Sequence, residues 1–260
     1  MDIMTFLKSE AEQVEVLEMQ NESTTVEFEA NRLKTSRVEE TSGTAVRVVR
    51  HGRLGFAASS DAEAVNKLAA NALESASYGD KIPLTFAGNM PAPAVKTFDA
   101  AVAEMPIPRL VEIGQQSIEM ILAVEPNARI NLTLERGVQK AGLRTHAGAD
   151  IAFERSPFSI GLELSRIEGD DVLILFDMLG MTTLTDDPLT PARNMVSKLE
   201  RCKTLTSIRS GNMPVIFSPS GSLAMFIPLM EGLDGKNVYK GISPIAQKVG
   251  EKLFDDKPFP

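Results

Sequence analysis

The chain has 260 residues, 43% of them apolar and 24% charged, long enough for a soluble protein with more than one core. Its 27 Lys and Arg face 35 Asp and Glu, a formal charge of −8, and no basic patch is concentrated anywhere, which argues against a nucleic-acid partner. A lone cysteine, Cys202, allows no internal disulfide, the start MDIMTFLKSEAEQ lacks a basic leader and an apolar h-region, and the longest apolar runs, VLILF (172–176) and SLAMFIPLM (222–230), fall short of the ~20 residues of a membrane span. No membrane association is expected and the chain reads as cytoplasmic, so the Asn-x-Ser/Thr matches at Asn21 and Asn131 carry no meaning as glycosylation sites.

In chain order, residues 1–12 read as a short helix. VEVLEMQ, TVEFEANRL and AVRVVR then alternate apolar and polar as half-buried strands do, and HGRLG turns the chain into LGFAAS as a hairpin. SSDAEAVNKLAANALESAS opens with Ser60 or Asp61 as the expected N-cap and spaces Ala64/Val65, Leu68, Ala69, Ala72, Leu73 and Ala76 as a helix face. Residues 1–82 therefore make a first α+β domain. Pro83, Pro91, Pro93, Pro106 and Pro108 mark 83–108 as a linker.

A helix is expected from Arg109 to Val124, stopping before Pro126, followed by strands in RINLTLER, QKAGLRTHAG, DIAFERSPFSIGLELSRIEG and DVLILFD. A helix from Pro191 to Cys202, with the proline in its first turn, completes a second α+β domain over 109–210. Residues 211–260 start a third unit: a strand around Val215–Phe217, an apolar helix, and SPIAQKVGEKLF, whose Ile245, Val249 and Leu253 share a helical face. That is too little chain to cover its own apolar surface, so the unit is expected to be incomplete and the chain a fragment. The expected fold is α+β: two successive α+β domains, antiparallel sheets with flanking helices, followed by the truncated start of a third.

The stretch TTVEFEANRLKTSRVEETSGTAVRVVRHGRLGFAASSD resembles the N-terminal domain of the TldD/PmbA family, also known by the older label modulator of DNA gyrase. The region from about Arg109 to Cys202 is similar to that family's central domain, and NMPVIFSPSG to the start of its C-terminal domain. The resemblance implies a helix that, in catalytic members, carries His-Glu-x-x-x-His, two histidines for zinc and a glutamate to activate water, with a later cysteine as a further ligand. Laying EGLDGKNVYKG on the family's Gly-rich exit places Phe226 and Glu231 at the histidine positions and Ile227 at the glutamate. Phe and Ile offer no donor, one carboxylate is not a zinc site, and Cys202 lies too early to be the later ligand. Pro228 would also disturb the rigid helix that such a site needs.

The implied reading is a PmbA/TldE-type subunit of a metallopeptidase complex with no catalytic or metal residue of its own. Its partner would be a TldD-type subunit holding the zinc, and its substrate an unfolded or extended peptide; a homodimer is a further expectation. Two alternatives stand beside it: a hydrolase with its own site beyond residue 260, and a non-enzymatic regulator linked to DNA gyrase.

Other features invite sharper chemistry than they support. His51 and His146 sit at expected turns or strand ends and read as surface histidines. The doublets Asp170/Asp171, Asp186/Asp187 and Asp255/Asp256 lie in turn-like contexts and read as solvated turns. GLDGKN (232–237) lacks the spacing of a phosphate loop, and its glycines read as a helix exit through positive φ. Ser220 and Ser222 read as an N-cap in the absence of a nearby histidine. Met225 and Met230 read as core filling.

Overall fold

The computed structural model describes residues 3–61, 64–91, 93–204, 206–207, 209–219, 221–248 and 250–252. The chain divides into two compact units, 1–205 and 206–260.

The first unit is built on two long strands. Helix α1 (Ile3–Leu7) leads into β1 (Gln13–Glu29), which turns through Ala30 and Asn31, at φ 48° and 71°, into β2 (Arg32–Arg50). Consecutive positive φ values give the turn whose twist matches that of the flanking strands. Asn31 also ties this turn to the neighbouring strand: its side-chain oxygen accepts from Ile130 N (2.7 Å) and its amide donates to Ala128 O (2.8 Å). The expected hairpin at HGRLG is present, with His51 and Gly52 at φ 52° and 70° between β2 and β3 (Arg53–Ser59).

Helix α2 (Val65–Tyr78) follows, then α3 (Ala100–Ala103), α4 (Ile107–Leu122), β4 (Arg129–Thr145), β5 (Asp150–Arg155), β6 (Phe158–Glu168), β7 (Asp171–Met181) and α5 (Thr190–Cys202). All strand pairs are antiparallel, in the order β3-β2-β1-β4-β6-β7, with β5 beside β4. The α+β class with flanking helices is as expected, but the division into separate sheets is not. β1 pairs with β4 from Glu15↔Thr145 to Phe28↔Leu132, so strands from 1–82 and 109–210 form one sheet. The polar residues 21–24, which read as a break between two strands, stay in β1 because it is paired on both sides.

What does separate the two segments is the core. Alternation places Val14, Val16, Val26 and Phe28 on one face of β1. Val14 and Val16 belong to a small core with Val46, Val48, α1 and the Ala-rich face of α2. Val26 and Phe28 belong to a larger one with Leu132, Leu134, Phe158, Ile160, α4 and Met195 of α5. In the small core α2 lies so close to β3 that a Cβ on Gly55 would come 2.2 Å from the Ala72 carbonyl oxygen, which explains the glycine and the alanines facing it.

Several boundaries differ from expectation. α1 is only five residues long. The N-cap position of α2 is Ala64, with no side-chain cap, rather than Ser60 or Asp61. α4 starts before Arg109, with Pro108 in its first turn, where its missing N–H costs nothing. α5 takes Pro191 into its first turn as expected. The proline-rich 83–108 segment is anchored rather than free. Gln13 donates to Leu84 O (2.8 Å) and accepts from Phe86 N (2.6 Å), and Phe86, Val102 and Met105 are buried.

The second unit holds α6 (Leu223–Leu233) and α7 (Gly235–Tyr239). Val215–Phe217 does not form the expected strand: it joins no ladder among the described residues and is exposed, Ile216 at 94%. Pro244–Gln247 form turns rather than the start of a helix, and Val249 and Leu253 lie outside the described residues.

Candidate functional site

On the face of β1 that carries both cores, the residues between them are Glu18, Gln20, Glu22 and Thr24. The apolar alternation is replaced by polar alternation; Glu18 and Gln20 are exposed and Glu22 half-buried, while Thr24 is already buried beside the larger core. The result is a groove of about 690 Å³ lined by Gln20 and Glu22 of β1, Glu40 and Ser42 of β2, Val138 and Lys140 of β4, and Glu154 of β5, with Phe98 at its margin.

Charges in and beside it are paired across strands: Arg136 Nη1 to Glu22 Oε1 at 3.1 Å and Lys140 Nζ to Glu154 Oε1 at 3.2 Å in the groove, Arg144 Nη2 to Glu18 Oε1 at 3.4 Å next to it. Glu40 lies directly opposite Glu22, two like charges facing each other across the β1–β2 ladder. Beside the groove, no strand among the described residues pairs with the outer side of β2 from Arg32 to Gly43, because β3 joins it only from Thr44 onward. An open strand edge along a polar groove can accept the backbone of an extended chain by strand addition.

Asp99 fixes the segment that carries Phe98. Its carboxylate accepts from Ala101 N and Leu184 N, both at 2.9 Å, while its own N–H donates to Ser156 Oγ (2.8 Å), which in turn donates to Thr182 O (2.9 Å). The Leu184 and Ala101 amides hold the Asp99 carboxyl below its ordinary value of 3.8. Sequence reading missed this groove. Its signal is the β1 pattern itself, where Val14 and Val16 give way to Glu18, Gln20 and Glu22 at unchanged parity.

In the second unit α6 places Phe226 and Ile227 outward, 54% and 55% exposed, with Glu231 also exposed. Residues five apart on a helix lie about 140° around its axis from each other, so Phe226 and Glu231 do not share a face. Glu231 accepts from the Asn237 side-chain amide through its backbone oxygen (2.9 Å) and its Oε2 (3.2 Å). Zinc does not fit these three positions: two have no donor atom and the third is one carboxylate engaged by an amide. Among the described residues no three His, Cys, Asp or Glu side chains converge as metal ligands.

The remaining sequence candidates are not brought together. His51 occupies the β2–β3 turn, where its N–H donates to Glu12 Oε1 (2.8 Å), and the His146 N–H donates to Val14 O (2.7 Å). Asp171 pairs with Arg166, and Asp187 accepts from Leu189 N and Arg193, which hold its carboxyl low. Asp255, Asp256 and Ser220 lie outside the described residues.

Three smaller expectations need correction. Gly232 and Gly235 do not have positive φ; Gly232 is small because Ile245 packs on it, 3.3 Å from where a Cβ would stand, and Gly241 is the residue at φ 72°. Ser222 stands at the N-cap position of α6 but donates to Pro219 O (2.6 Å) instead of capping. Met225 and Met230 are exposed, not core.

Residues 14–76 match the family description PmbA/TldA metallopeptidase domain 1, and residues 210–257 match PmbA/TldA metallopeptidase C-terminal domain. Among solved structures, TldE from Thermococcus kodakarensis is similar at TM-score 0.81 and 18% identity, over 95% of this chain and 57% of its own. A protein named as a candidate modulator of DNA gyrase from Bacteroides thetaiotaomicron is similar at TM-score 0.84 and 16% identity, over 98% of this chain and 60% of its own. Another of the same description from Thermotoga maritima matches at TM-score 0.84 and 14% identity, over 96% and 58%. At these identities the likeness is one of fold, and the chain spans less than two thirds of the length of each. No protein of curated function matches the chain.

Proposed function

Because the chain belongs to the PmbA/TldD family, we propose that it is a PmbA/TldE-type subunit of a metallopeptidase complex, without a metal site of its own, that helps receive unfolded or extended peptides. The observation that supports this reading is α6, which carries Phe226 and Ile227, side chains without donor atoms, where the resemblance sets the zinc motif. In this reading the metal chemistry belongs to a TldD-type partner, and this chain contributes an open strand edge and a polar groove. Strand addition reads backbone more than side chain, so many unfolded sequences would be admitted and folded ones rejected.

The test has two parts. Elemental analysis of the chain purified without chelator is expected to find far less than one zinc per chain. Mixing it, in its full-length form, with a motif-bearing partner is expected to produce cleavage of unstructured peptides that neither component shows alone. Stoichiometric tight zinc, or peptide cleavage by this chain alone, would overturn the reading. The charge of −8 disfavours the DNA-regulator alternative, for which binding to duplex DNA at physiological salt is expected to be weak and non-specific.

A further inference from the structure

The charges of the groove and of the strand edge beside it do not balance. Of the carboxylates lining the groove, Glu22 pairs with Arg136 and Glu154 with Lys140. Along the edge of β2, Lys34 pairs with Glu29, and Arg37 with Glu27 and Glu39. Glu40 is the carboxylate left over: it is exposed, lines the groove, and has no cation within ion-pair distance among the described residues. It also faces Glu22 across the ladder, where like charges repel. The excess charge thus sits on the strand that an incoming chain would pair with.

A peptide that adds to this edge turns its side chains alternately to the two faces of the sheet. The face shared with the groove carries Val38, Glu40 and Ser42 in succession, since these stand opposite Thr24, Glu22 and Gln20 of β1. Directly opposite side chains on neighbouring strands are about 4.5–5.5 Å apart at Cβ, so a basic residue set against Glu40 reaches its carboxylate. Two places along the same peptide, on the same face, is the position set against Val38, which is 53% exposed and suits an apolar side chain. The other face of the edge makes no such demand, because Arg37 there is already paired with Glu27 and Glu39.

We infer that the groove selects extended peptides that carry Lys or Arg two residues from an apolar side chain, the cation against Glu40 and the apolar group against Val38. Glu40 is then the residue that sets specificity. This selectivity rests on the peptide-receiving reading above and adds to it which peptides are preferred. A cation at that position neutralises the leftover carboxylate and relieves its repulsion of Glu22, whereas an acidic residue there would be a further like charge. The chain's charge of −8 attracts any basic peptide at long range, but only a registered contact depends on Glu40 and on the two-residue spacing.

Fluorescence anisotropy at low salt tests it, with the 260-residue chain and three labelled unstructured peptides identical except at one position, two residues from a leucine, held as Lys, Ala or Glu. The Lys peptide is expected to bind tightest and the Glu peptide about three- to tenfold more weakly, with Ala between. Glu40→Gln should shrink the Lys-over-Glu ratio below about twofold, and Glu40→Lys should reverse it. Glu168→Gln, at the far end of β6, removes the same charge and should leave the ratio as in wild type. Moving the lysine next to the leucine turns it to the other face and should reduce affinity to that of the Ala peptide. Equal binding of all three peptides, or a preference that Glu40→Gln leaves intact, overturns the selectivity while the peptide-receiving reading stands. Failure of every peptide to bind overturns both.

Discussion

The two apolar ends of β1 and its polar middle share one strand, one face and one alternation, yet they do different things. Val14 and Val16 at one end and Val26 and Phe28 at the other are sealed under helices, while Gln20 and Glu22 between them floor an open groove. Backbone pairing runs through all three stretches, shifting register against β2 only between Glu27 and Phe28, so the side-chain chemistry rather than the ladder distinguishes the covered parts from the open one. The two ends also differ from each other. One is built from large side chains around Phe158, Ile121 and Leu132, the other from strand valines packed against α1 and the Ala-rich face of α2.

That contrast can be broken at each part. At the large end, Phe158→Ala leaves a void under a side chain that is 1% exposed and should cost about 3–5 kcal/mol in denaturant unfolding. At the small end the damaging change is enlargement. Gly55→Ala drives a methyl into the Ala72 carbonyl and should cost about 1–3 kcal/mol, with the loss concentrated in α2 amide protection. In the middle, Glu22→Ala takes the ion pair from Arg136, whose side chain is only 14% exposed, and should cost about 1 kcal/mol. Glu40→Thr relieves the like-charge pair at the same register and should be neutral or stabilising by about 0.2–0.5 kcal/mol.

The smallest effect at neutral pH concerns Asp99. Its folded carboxyl lies below the ordinary 3.8, so the unfolded state binds the proton more readily. The stability it contributes is full above that value and is lost as pH falls through the lower, folded one. Asp99→Asn should remove this part of the acid dependence, read as the difference in melting temperature between the two proteins below and above pH 3.8.

Much of the fold was legible because local signals and tertiary demands agreed. The His51–Gly52 hairpin, the Ala-rich helix on β3 and the Pro191 start of α5 each follow from residues that only one conformation suits. The single sheet was not legible, because residues 21–24 carry no apolar period and only pairing on both sides holds them extended. Val215–Phe217 misled in the opposite direction: an apolar β-branched run reads as a strand, but a strand needs a partner, and none is present among the described residues.

The candidate site divides in the same way. The absence of donors at Phe226 and Ile227 is written in the sequence. The groove is a tertiary object, assembled from β1, β2, β4 and β5 with a margin from the 83–108 segment, and no local window contains it.

The claim that this groove and its open edge receive extended peptides is tested most directly by hydrogen exchange with and without a saturating unstructured peptide. Slowed exchange along residues 32–43, the unpaired edge of β2, with little change at residues 171–181, is the expected result. Unchanged exchange along 32–43 under conditions where the peptide is bound would contradict it.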